Sequence, residues 1–160
     1  MRFAVAKGET AATLNGLASV TFQTGTTAGT IRFTFSGIPQ GFAADPTVTL
    51  AIPPAQIAVD RVVATRLPLA LRLDVIGFDN TYGLGAMLFR FFDAGGQLLT
   101  PPIPVDFTAV FRDYFGSALS GSAFRASIQF PVTGDSIGIA AMEAEMTNPA
   151  GTVQIGRLVF

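Results

Sequence analysis

Between residues 69 and 76, apolar and polar side chains alternate, with Leu69, Leu71, Leu73 and Val75 on one side and Arg72 and Asp74 on the other. A side-chain period of two belongs to a β-strand with one face in a core, because successive Cβ atoms point to opposite faces. The pattern recurs. Ile31, Phe33 and Phe35 oppose Arg32 and Thr34. Phe124, Ala126, Ile128 and Phe130 oppose Arg125, Ser127 and Gln129, and in a strand predicted over 137–146, starting at Ile137, Ala140, Met142, Ala144 and Met146 oppose Glu143 and Glu145. Further strands are predicted around Phe3 and Val5 and over 17–23, where Val20 and Phe22 share a face. Others are predicted over 47–52, 60–66, 86–92 and 152–160. In 86–92, Met87, Phe89 and Phe91 line one face while Leu88 and Phe92 flank Arg90 on the other, which predicts a strand covered on both sides.

The breaks between these runs carry turn chemistry. Thr24-Gly25-Thr26-Thr27-Ala28-Gly29 predicts a hairpin joining 17–23 to 29–36, and Gly37-Ile38-Pro39-Gln40-Gly41 closes the second strand. Pro53-Pro54 removes two successive backbone donors, which makes an extended connector and a boundary between two halves. Pro68 sits between a strand pair, or within one kinked strand. One segment departs from the period of two: Phe107, Val110, Phe111, Tyr114 and Phe115 stand at helical spacing behind Asp106, a candidate N-cap. The fold class is therefore an all-β antiparallel sandwich with one short helix or helical turn near 106–116.

Composition narrows the chemistry. The chain has no His, Cys or Trp, so imidazole bases and thiolate nucleophiles are lacking, along with the commonest soft metal ligands. Ser and Thr lack a base, and the nearest acidic pair, Glu143 and Glu145, lies on the outward face of a strand. The glycines match no phosphate loop. An enzyme is not expected, and no cofactor is implied. With a net charge of −1 and no basic stripe, nucleic acid is not an expected partner. Arg, Asp or Pro interrupts every apolar run before membrane-spanning length, and the Met1-to-Lys7 start lacks the apolar stretch of a secretory signal. Calcium needs six to eight oxygens, and Asp79, Asp93 and Asp135, with Asp106, offer them only if their loops converge. Asp at turns also bonds its own backbone, which explains all four positions without a metal. The aromatic residues of the helical segment read as core before they read as a glycan platform.

Several stretches resemble a known module. Gly77-Phe78-Asp79-Asn80-Thr81, Phe89-Arg90-Phe91-Phe92-Asp93-Ala94-Gly95-Gly96, Phe130-Pro131-Val132-Thr133-Gly134-Asp135 and Thr147-Asn148-Pro149-Ala150-Gly151 are similar to a C-terminal β-sandwich module of large secreted proteins of soil bacteria such as acidobacteria. The run from Val20 to Ile31 resembles the closing strands of the bacterial Ig-like domains that precede it. The resemblance implies an Ig-like sandwich, with a partial Ig-like region over 1–55 and the C-terminal module over 56–160, the two able to pack as one unit. It also implies an extracellular or cell-surface setting and a structural role.

Only 13% of residues are charged, about half the usual share, so much of the surface is Ala, Thr, Ser and apolar atoms. Such a surface favours cover by copies of itself or by neighbouring domains over a Thr- and Ser-rich monomer. Too few strands precede Pro53 to close a sandwich. The first half is thus expected to need covering by the second half or by another chain, and the terminal strand with Phe3 and Val5 is the candidate for strand exchange into a filament or adhesive layer. The competing expectations are a strand held at the edge of its own sheet and a calcium- or glycan-binding module.

Overall fold

The computed structural model describes residues 2–36, 47–117 and 121–160. The expected turn over 37–41 lies outside the described residues. The chain folds as an antiparallel β-sandwich preceded by two small ribbons. The first ribbon pairs β1 (Phe3–Val5) with β2 (Ala12–Leu14), and the second pairs β3 (Gly29–Thr34) with β4 (Thr47–Ile52). The sandwich follows, with β5 (Ala58–Leu67), β6 (Ala70–Phe78), β7 (Ala86–Phe92), β8 (Ile103–Asp106), the helix α1 (Thr108–Phe115), β9 (Ala123–Pro131), β10 (Ala141–Asn148) and β11 (Gly151–Val159).

One sheet has the order β5-β6-β9 and the other β11-β10-β7-β8. Hairpin β5-β6 lies in the first sheet and hairpins β7-β8 and β10-β11 in the second, with β9 crossing back to pair with β6, which is the Greek-key connectivity of an Ig-like sandwich. The alternation dictates the core. Leu71, Leu73, Val75 and Phe124 from one sheet meet Met87, Phe89, Phe91, Met142, Ala144 and Met146 from the other, all nearly or wholly buried. Each large apolar side chain removed from water in this way contributes about 1.5–3 kcal/mol. Phe130 joins the layers edge-on, its ring 4.7 Å from Phe89 and 5.1 Å from Phe91. Helix α1 closes one end: Phe111 and Phe115 are buried against Phe124, while Val110 and Tyr114, from the same aromatic run, stay exposed. As its residues predicted, β7 is covered on both faces, with the Arg157 guanidinium 4.0 Å over the Phe92 ring and Arg90 paired with Glu145 at 2.6 Å.

Four expectations are corrected. Residues 19–25 form no strand, and β3 takes β4 as its partner in the register Ile31↔Leu50 and Phe33↔Val48. The turn that does form lies earlier: Asn15 and Gly16 both have positive φ, and Leu14 and Leu17 exchange both backbone hydrogen bonds across them. This is the two-residue hairpin geometry that Asn-Gly favours. Leu69 belongs to the β5-β6 turn and is exposed, so there the apolar phase outruns its strand, and the strand expected from Ile137 begins only at Ala141, Ile137 lying exposed in the 3₁₀ turn Ser136–Gly138. The N-cap position of α1 is Phe107, while Asp106 acts from one residue upstream by accepting a hydrogen bond from the Thr108 N–H.

Gly77 shows how tightly β5, β6 and β9 pack. A Cβ there would stand 2.7 Å from the Ala58 carbonyl oxygen and 2.8 Å from the Phe124 ring. Neither a backbone carbonyl nor a core ring can yield cheaply. Gly77→Ala is expected to destabilise the sandwich by about 1–3 kcal/mol, read as a lower denaturant midpoint at unchanged slope.

Candidate functional site

Asp79 is fully buried just past the end of β6. Its Oδ1 accepts from Thr81 N at 3.0 Å, Thr81 Oγ1 at 2.6 Å and Asn148 Nδ2 at 2.9 Å, and its Oδ2 accepts from Leu84 N at 2.7 Å. Burial alone would raise the carboxyl's pKa. The hydrogen bonds from Thr81, Asn148 and Leu84 outweigh that and hold it below the ordinary carboxylate range. Two stretches far apart in sequence, 77–81 and 147–151, are thereby joined at one corner of the sandwich.

The same corner fastens the β3-β4 ribbon. Asn80 accepts from Ala55 N at 2.9 Å and donates to the Pro53 carbonyl at 3.0 Å, and Asn148 donates to the Ala55 carbonyl at 2.9 Å. The chain entering β3 is held by Ala28 N donating to the Asn80 carbonyl at 2.7 Å, by a Thr27–Tyr82 hydroxyl pair at 2.8 Å, and by a Thr26–Ser122 hydroxyl pair at 3.3 Å. The ribbon is thus tied at its base, where Gly29 faces Ile52. Away from the base it becomes bare: Ile52 is partly buried, Leu50 is 43% exposed and Val48 57%. On its apolar face the Phe22 ring packs 4.7 Å from Phe33, and just past β3 the Phe3 ring meets Phe35.

The other carboxylates singled out in the sequence are not gathered with Asp79. Asp93 Oδ1 accepts from Gln97 N at 2.8 Å within its own turn, and Asp135 Oδ1 accepts from Ile137 N at 2.9 Å as the cap of the 3₁₀ turn. Among the described residues no three His, Cys, Asp or Glu side chains are placed to hold a metal ion. Asp79, Asp93 and Asp135 therefore sit at separate turns, each satisfied by backbone donors. Glu143 and Glu145 form an outward ladder on β10, Glu143 with Arg157 at 3.1 Å and Glu145 with Arg90 at 2.6 Å. The hydrogen bond from Arg90, with a second from Gln154, lowers the Glu145 pKa.

Phe3 and Val5 lie in β1. The Phe3 ring stands edge-on to Phe35 at 5.7 Å, while Val5 is 53% exposed. Among the described residues no helix is long and apolar enough to cross a membrane. Sequence reasoning passed over Asn80 and Asn148 as parts of the junction, although Asn148, a polar amide in phase with the apolar face of β10, was a usable signal. The chain matches no family model, no curated protein and no solved structure.

Proposed function

We propose that this chain is a non-enzymatic structural module of the extracellular space or cell surface that associates with copies of itself by β-strand addition. The observation carrying this reading is the pair of ribbons ahead of the sandwich. A two-stranded sheet is marginal alone in water, and three or more strands with a covered apolar face are needed for independent stability. Here β1-β2 and β3-β4 each have only two strands among the described residues, and Val5, Leu17, Phe22, Val48 and Leu50 remain exposed around them. A further strand from another copy would supply both the missing hydrogen bonds and the missing cover.

The structural reading is also supported by the partners of the acidic groups. Glu143 and Glu145 are engaged by arginines, and Asp79, Asp93 and Asp135 by backbone donors. The setting rests on the resemblance of the 77–81, 89–96, 130–135 and 147–151 stretches to a secreted module.

Light scattering and negative-stain electron microscopy on the purified chain test the reading. Mass rising with concentration, as oligomers or filaments, is the expected result. A monodisperse monomer at every concentration overturns it. A chain lacking residues 1–7 reports whether the β1 strand with Phe3 and Val5 is the exchanged element, in which case association disappears with it.

A further inference from the structure

Resting on that reading, we infer that the self-associating edge is the outer side of β4, which pairs antiparallel with β4 of a second copy about a two-fold axis through Leu50. Edge strands are normally blunted against such pairing by charge, proline, bulges or short length. The sandwich does this at all four of its edges. β5 carries Asp60 and Arg61 at a bulge, β11 a bulge at Gly156 and Arg157, β8 has four residues including Pro104, and β9 carries Arg125 and ends in Pro131. β3 has Arg32, and β1 and β2 have three residues each.

β4 is the exception among the described strands. Thr-Val-Thr-Leu-Ala-Ile is six residues without charge, Pro, Gly or bulge, and it is rich in β-branched side chains. Among the described residues no backbone hydrogen bond reaches the outer side of 48–52. Among the described strands every other edge is guarded and this one is not, which marks it as an edge with an occupant.

Charge and register point to a second copy. A charged partner strand would find no countercharge along β4, whereas another β4 brings none to oppose. In the register centred on Leu50, Leu50 faces its own mate, Val48 faces Ile52 of the other copy, and Thr49 faces Ala51. This register pairs every residue of 48–52 and keeps Val48, Leu50 and Ile52 on one face, continuous with Ile31 and Phe33 across the β3-β4 register. Two marginal ribbons become one four-stranded sheet with a single apolar face. One six-residue edge covers much less than the ~800 Å² per partner of a stable interface, so the dimer is reversible.

The test is sedimentation velocity on the full chain with Leu50→Lys, with Leu50→Glu, and with an equimolar mixture of the two. Each variant alone places like charges opposite each other on the axis and is expected to weaken association at least about tenfold. The mixture places Lys opposite Glu and is expected to recover most of the loss. Thermal unfolding of each variant checks that the sandwich, in which residue 50 takes no part, is intact. Association undiminished in both variants, or no recovery on mixing, overturns the β4 pairing while leaving self-association standing. Absence of association in the unaltered chain overturns both.

Discussion

Asp79→Ala is expected to destabilise the sandwich by about 3–5 kcal/mol, because a buried acceptor that satisfies several donors is removed at once. Thr81 N, Thr81 Oγ1, Leu84 N and Asn148 Nδ2 all point at this carboxylate. The methyl group of alanine accepts from none of them, and a buried donor left unmade costs about 1–3 kcal/mol. For a chain of this size the loss corresponds to a fall of roughly 10 °C in melting midpoint, measurable by calorimetry. Asp79→Asn is not a conservative rescue. Its amide nitrogen donates where Leu84 N or Asn148 Nδ2 also donates, so at least one donor faces another. Asn148→Ala removes a single donor to Asp79 along with the link to Ala55 and is expected to cost less than Asp79→Ala.

The sign of the pH dependence follows from the same bonds. The folded-state pKa of Asp79 is lowered, because hydrogen bonds to the ionised form outweigh the opposing effect of burial. A depressed carboxylate contributes stability that is fully present above its unfolded value, about 3.9, and is lost as pH falls through the folded value. Stability is thus expected to be level in this respect through neutral pH and to decline below about pH 4. In Asp79→Ala that part of the acid dependence is absent. A variant that keeps the full acid-induced loss would show that another carboxylate carries it.

How far the fold was legible depends on what the period of two encodes. It states which side chains share a face, and for 71–75, 87–91, 124–130 and 142–146 that sufficed to name the core. It does not state which strands pair. Val20 and Phe22 alternate as a strand would, yet β3 pairs with β4, and Phe22 only lays its ring on Phe33. The Asn15-Gly16 turn had a local signal of its own, because positive φ at both positions suits these residues. The helix was legible because Phe107, Phe111 and Phe115 repeat every four residues, although periodicity could not tell that Val110 and Tyr114 would face out. The junction was only half legible. Asp79 drew notice as a possible ligand, but an Asp beside Asn and Gly reads alike as a metal ligand and as a turn cap. Only the approach of Asn148, 69 residues on, decides its use.

Hydrogen exchange in dilute solution is expected to divide the chain in two. β6, β7 and β10 are each flanked by strands on both sides and bury most of the core, so their amides open only with the whole sandwich. Among the described strands, β3 and β4 have only each other as partner, above a partly covered face, and their amides open locally. A gap of about 4 kcal/mol between the two modes is roughly a thousandfold in exchange rate. Within the ribbon a finer division follows from antiparallel geometry, because alternate amides of a strand point to opposite sides. Those of 48–52 that point at β3 are slowed by its carbonyls, and those that point outward exchange as in an open chain. Raising the concentration is expected to leave the sandwich amides unchanged and to slow the outward set of 48–52, because a second copy supplies their missing acceptors. Equal protection of both sets in the monomer would mean that this edge is already covered within one chain, and the ribbon would then have no edge to offer.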